Sequence, residues 1–141
     1  MNDSDYFLDT NIFLRAIVKD ENRQAHECLQ LLEKISRNEL VVYTSSIILA
    51  ELNWTLLGFY HYHKSDVAEI LKGLTNVKSI KIKDFYATAK AVELYQKYNV
   101  KFIDCLIASH PKIISGQIVV VSYDRDFDRL SVTRVEPSQL I

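Results

Sequence analysis

Five acidic residues stand apart from the ordinary surface charges of this chain: Asp9, Glu51, Asp104, Asp124 and Asp126. Carboxylates gathered in one place raise each other's pKa until one takes a proton or a cation binds. All-oxygen ligand sets suit Mg²⁺ and Mn²⁺, and Mg²⁺ takes one or two carboxylates together with water and substrate phosphate. Such a set can carry out metal-assisted phosphodiester hydrolysis, in which the cation acidifies a water and neutralises charge developing on phosphate. Each acid also has a plainer reading. Asp9 suits a turn or N-cap, Asp104 suits the first turn of a helix, and Asp124-Arg125-Asp126 suits a solvated turn, with Asp128 on the surface. Glu51 resists this treatment, because Ile48, Leu49, Ala50, Leu52 and Trp54 surround it and acids are seldom buried unpaired.

The chemistry depends on which elements carry these acids. Tyr6-Phe7-Leu8 is a short apolar run ending at Asp9-Thr10-Asn11, after which Ile12, Phe13, Ala16 and Ile17 recur at helical spacing. Ala25, Cys28, Leu29, Leu32 and Ile35 form one helical stripe between Arg23 and Asn38. Leu40 to Thr44 reads as a strand buried on both faces. Ser45 or Ser46 can cap a helix through Ile48, Leu52, Leu56 and Phe59, and Ser65 can cap another through Leu71 and Leu74. Val77 to Ile82 is a candidate strand, Asp84 can cap a helix carrying Phe85, Ala89 and Val92, and His110-Pro111 should end the helix that contains Asp104. Ile118 to Ser122 is a β-branched strand after Gly116, and Val132 to Val135 is a possible last strand. Strands alternating with helices predict a mostly parallel sheet with helices on both faces, and ligands of such sheets bind beyond the carboxyl ends of the strands. Asp9, Glu51, Asp104 and Asp124 would then face one cleft.

Composition closes off other classes. The 141 residues, 48% hydrophobic and 25% charged, suit one globular domain over 1–141, with no repeat or linker. The net charge of −1 points to no partner by itself, so a nucleic acid would need a local basic surface such as Lys78, Lys81 and Lys83. Three glycines, Gly58, Gly73 and Gly116, are too few and too scattered for the glycine-rich dinucleotide or P-loop phosphate cradles. Cys28 and Cys105 form no CxxC pair and read as small core residues. His61-Tyr62-His63 has the wrong spacing for a metal pair on a helix. Ser45, Ser46 or Cys105 as nucleophile would want a positioned histidine, for which there is no motif. Tyr60, Tyr62, Tyr95 and Tyr98 suit helix packing or a dimer surface better than base stacking. With no membrane-length apolar run and an acidic Met1-Asn2-Asp3-Ser4-Asp5 start, a cytoplasmic location is expected.

Asp9-Thr10-Asn11 after a strand, Ser45-Ser46 leading to Glu51, Asp104 within Phe102-Ile103-Asp104-Cys105-Leu106-Ile107-Ala108, and Ser122-Tyr123-Asp124-Arg125-Asp126-Phe127 after a strand together resemble the PIN domain. The resemblance is strongest to VapC-like toxins of type II toxin-antitoxin pairs, and it covers nearly the whole chain in order. It implies a three-layer α/β/α sandwich and a Mg²⁺- or Mn²⁺-dependent endoribonuclease. It maps the metal acids to Asp9, Glu51, Asp104 and Asp124, with Asp126 auxiliary and Asn11 and Ser122 as polar supports. Ser122 stands where the family often has Thr, which keeps the hydroxyl. A cognate antitoxin and a homodimer are further implications. The alternatives are a PIN-like or receiver-like domain that binds RNA or protein without cutting, and a structure-specific DNA nuclease.

Overall fold

The apolar run behind Asp9 becomes the middle of a sheet. In the computed structural model, strand β1 (Asp5–Leu8) pairs in parallel with β2 (Val42–Thr44) on one side and β4 (Ile118–Val121) on the other. Strand β3 (Ile80–Ile82) lies outside β2, and β5 (Arg134–Val135) lies outside β4, giving a fully parallel order β3-β2-β1-β4-β5. The described residues are 4–18 and 20–141, so Met1, Asn2 and Asp3, used above to argue against a signal peptide, lie outside them. No helix among the described residues is long and apolar enough to cross a membrane.

The chain steps outward from β1 to β2 and β3, then returns over the sheet to β4 and β5. Right-handed crossovers put the helices of the outward half on one face and those of the return on the other. The packing divides accordingly. Helix α1 (Thr10–Val18) packs on α2 (Arg23–Ser36) and α3 (Ser46–Gly58), and α3 packs on α4 (Lys64–Asn76). On the return, α5 (Thr88–Lys97) packs on α6 (Phe102–Ala108), which contacts α7 (Pro111–Ile114) and α8 (Asp126–Arg129). The three-layer α/β/α sandwich expected from the sequence is therefore present. Its core includes Leu8, Ile12, Phe13, Val42, Leu52, Ile107, Val120 and Phe127, with both Cys28 and Cys105 buried as free thiols. Gly116 precedes β4 at φ +82°, a turn conformation that a Cβ would strain.

Local signals misplaced several boundaries. The second strand starts at Val42, leaving Val41 exposed, and the third starts at Ile80 because α4 runs on to Asn76. Leu29 sits at the exposed margin of the α2 stripe, and Asn22 caps that helix by accepting from the Ala25 N–H at 2.8 Å. Helix α3 ends at Gly58, and both Phe59 and Trp54 are exposed. Ser65 does not cap α4, whose N-cap position is His63, and His61 and Tyr62 lie in the connection before it rather than on a helix. Asp84 does not cap the helix that follows it. That helix begins only at Thr88, and the Asp84 carboxylate instead reaches across to α3, accepting from the Ser46 N–H and Ser46 Oγ, both at 2.7 Å. The physical reason is that Ser45, at the N-cap of α3, is buried and makes no side-chain cap bond, so the free N–H groups of α3 take a carboxylate from the β3–α5 connection.

Replacing Asp84 with Ala is expected to lower stability by about 0.5–2 kcal/mol, the range for losing an N-terminal cap. Ser65→Ala should change it little. Urea unfolding of both variants checks this, and equal effects would show that Asp84 is not the capping group.

Candidate metal centre and active site

The strand order reverses direction between β1 and β4, and the crevice beyond the carboxyl ends of those two strands is where such a sheet binds ligands. Asp9 leaves β1 there. Its N–H donates to Val121 O at 3.1 Å, extending the β1–β4 ladder by one step and fixing the backbone. Its Oδ1 accepts from the Thr10 N–H at 2.8 Å, while Oδ2 accepts from Ser122 Oγ at 2.7 Å and from Asn11 Nδ2 at 3.2 Å. Ser122 follows β4, and its Oγ also accepts from the Asp124 N–H at 3.0 Å. The Asp126 N–H in turn donates to Asp124 Oδ1 at 2.9 Å. One hydroxyl and one amide thus tie the first acid to the loop bearing the last two.

One carboxylate oxygen from each of Asp104, Asp124 and Asp126 lies within 4.8 Å of the other two. Asp104 comes from the first turn of α6 on the return face, and its Oδ2 is buried with no hydrogen-bond partner. Asp9 and the half-buried Glu51 stand outside that trio but close enough for their charges to act. Burial first, then Glu51 and Asp124, push the Asp9 carboxyl up to about 6 against the opposing pull of its Ser122 and Thr10 hydrogen bonds. Burial, then Asp9 and Asp124, push Asp104 up to about 8. All seven residues singled out from the sequence, Asn11 and Ser122 included, stand around this crevice. An all-oxygen donor set with one orphaned buried carboxylate oxygen fits Mg²⁺ or Mn²⁺.

Several further residues at this site carry little signal in the sequence. Lys101, at the N-cap of α6, is lowered by burial but raised more by Asp104, Glu51, Asp124 and Asp9, making it a basic group within the field of all four acids. Its position one turn before Asp104 was the available signal. Asp128 is exposed, as expected, and forms a two-pronged pair with Arg134 at 3.0 and 3.1 Å. Arg134 also donates to Ser122 O at 2.9 Å, bracing the loop from β5. Tyr123 donates to Glu27 Oε2 at 2.8 Å and carries the Arg15 guanidinium 5.2 Å from its ring. The candidate nucleophiles fall away. Ser45 is buried, Ser46 is engaged with Asp84, and burial and Asp104 raise the Cys105 thiol above its ordinary value.

The PIN domain family profile matches residues 6–132. The chain belongs to the PIN domain family. This PIN domain is 26% identical over 132 residues to a VapC ribonuclease of Aquifex aeolicus, covering 92% of this chain and 95% of that one. It is also similar to the crystal structure of VapBC2 from Rickettsia felis bound to a DNA fragment from their promoter, at 28% identity and TM-score 0.62, covering 93% of this chain and 97% of that one. A Pyrobaculum aerophilum protein, 16% identical with TM-score 0.62, covers 97% of this PIN domain over 93% of its own chain and shares the fold.

The raised carboxyl values set the pH dependence of the metal-free protein. Both acids hold more protons in the fold than in the unfolded chain, where they ionise near 3.8. Stability therefore falls as pH rises from 3.8 through about 6 to about 8. Asp104→Asn, which removes a charge without disturbing a hydrogen bond to that oxygen, should be more stable than wild type at about pH 8 and flatten the slope. Urea unfolding in EDTA between about pH 5 and about pH 8 reads this directly, and a flat wild-type profile would contradict it.

Proposed function

We propose that this PIN domain is a metal-dependent endoribonuclease, the toxin of a toxin-antitoxin pair, acting in the cytoplasm. The observation that carries the reading is the Asp104–Asp124–Asp126 trio, with its unpartnered buried oxygen, at the β1/β4 crevice. Asp104, Asp124 and Asp126 would hold the cation, with Asp9 and Glu51 completing the acidic wall. Bound there, Mg²⁺ or Mn²⁺ supplies Lewis acidity toward phosphate and water. The protein's own part is positional. Ser122, Asn11 and the Thr10 N–H fix the Asp9 carboxylate, and the Ser122 hydroxyl and Asp124 carboxylate fix the loop by accepting from backbone N–H groups. One carboxylate of the Asp9, Glu51, Asp104 and Asp124 set orients the attacking water by accepting its hydrogen bond. Lys101 offers positive charge to the phosphodiester at the rim of the acids.

Similarity to the Aquifex aeolicus VapC ribonuclease supports RNA as substrate, and similarity to VapBC2 supports a cognate antitoxin as partner. The reading includes a homodimer, for which exposed Val92, Tyr95 and Phe102 supply an apolar face on α5 and α6.

Mn²⁺ at about millimolar concentration should raise the melting temperature of metal-free protein by mass action. The same protein should cut RNA only when the metal is present. Asp104→Asn and Asp124→Asn should each lower cleavage by about two orders of magnitude or more, while Ser122→Ala, which loosens Asp9 and the loop carrying Asp124 without removing an acid, should cost about 10–100-fold in metal affinity or activity. RNA cleavage undiminished in EDTA, or in either Asn variant, would overturn the assignment.

A further inference from the structure

A second concavity opens on the same face as α6 and α7. This cleft of about 600 Å³ is within the size range of small-ligand pockets. Four aromatic side chains line it: Phe7 from β1, Tyr43 from β2, and Phe85 and Tyr86 from the segment joining β3 to α5. Phe85 is 60% exposed and meets His110 edge to face, with ring centroids 5.4 Å apart, so the two rings form one wall. The lining charges are Lys83 and Lys112 against Asp5 alone, while burial, and then Lys112, lower the His110 pKa. The cleft is thus apolar and aromatic with a basic margin.

Its position relative to the acids narrows the occupant. Ile107 lines the cleft and stands three residues beyond Asp104, on the same side of α6 and about one turn away. Phe7 lines it from β1, two residues before Asp9. Lys83 joins it to Lys78 and Lys81, which continue along the open β3 edge. The cleft continues from Phe7 to Asp5 and Ile118 at the amino ends of β1 and β4, and from Ile107 to His110 past the end of α6, so it runs away from the acids along that face and an RNA chain several nucleotides long would be needed to occupy both. Flat aromatic walls with flanking lysines match an unstacked base and its phosphate.

We propose that this cleft is a subsite for one unstacked nucleotide of the RNA chain, several nucleotides away from those at the acidic crevice. The proposal rests on RNA being the substrate, as argued above. Stacking on Phe85 supplies affinity, and Lys83 and Lys112 hold the flanking phosphates. A free mononucleotide or a protein segment is the competing occupant.

The test is binding of a short random-sequence single-stranded RNA, about 12 nucleotides long, to the full chain in EDTA by fluorescence anisotropy. Phe85→Ala should weaken binding about fivefold or more. Lys112→Gln should make the slope of log affinity against log salt shallower by about 0.7. Phe59→Ala, which removes a ring that is 73% exposed on another element, should bind as wild type does. If Phe85→Ala melts early, the Lys112→Gln slope decides, since Lys112 is exposed. Unchanged affinity in Phe85→Ala, an equal loss in Phe59→Ala, no RNA binding at low salt, or displacement of the RNA by micromolar uridine or adenosine monophosphate would each overturn the proposal. Cleavage with Mn²⁺ is scored separately on the same proteins. Wild type that cuts while Phe85→Ala binds normally removes the subsite and keeps the nuclease. Wild type that does not cut while Phe85→Ala loses affinity does the reverse.

Discussion

Repulsion among the carboxylates that the ends of β1 and β4 and the first turn of α6 bring together is the constraint around which the rest of this protein is arranged. Adjacent strands are about 4.8 Å apart, so acids that leave β1 and β4 at the same edge are forced into each other's field. Among the described residues no matching set of basic groups relieves this. The protein uses neutral donors, the Ser122 hydroxyl, the Asn11 amide and the Thr10 N–H, which hold Asp9 without cancelling its charge. Lys101 is the basic group whose field takes in all four acids, and it sits at the N-cap of α6 rather than inside the cluster. The result is a negative site held rigid by uncharged hydrogen bonds, as a cation-binding centre needs and as a site built only for stability would not be.

Polar contacts between distant segments carry that rigidity outward along the carboxyl edge of the sheet. Asp84 holds the start of α3, the helix that bears Glu51. Arg134 grips Asp128 and the Ser122 carbonyl, so that the outer strand β5 braces the loop after β4. Tyr123, bonded to Glu27 on α2 and covered by Arg15 from α1, ties the same loop to the opposite helical layer. The body of the sheet is held differently, by side chains such as Leu8, Val42, Val120 and Val121 that are wholly buried. A nonpolar scaffold thus ends in a polar edge. The aromatic cleft is cut into the return face of that scaffold, where stacking and burial favour a planar ligand over a metal ion.

How much of this could be read in advance depends on the range of the interaction concerned. Parallel α/β architecture was legible because β-branched runs such as Ile118 to Val121 and helical stripes such as Ala25, Cys28 and Ile35 are local patterns set by backbone geometry. The acids were legible as candidates because Glu51 sits in an apolar setting and Asp9 and Asp124 follow strands. Their grouping was not. Nothing local says that Asp104, Asp124 and Asp126 form the tight trio while Asp9 and Glu51 stand outside it, since that follows from how α6 packs over the crevice. Capping failed for the same reason: Ser65 and Asp84 have the right chemistry for their own helices, yet the carboxylate of Asp84 finds the unpaired N–H of Ser46, 38 positions away in sequence. Sequence fixed residue type and local periodicity, while tertiary packing decided which polar groups share a low-dielectric space. Hydrogen bonds and charge repulsion act across ångströms of space, and chain separation does not report that distance.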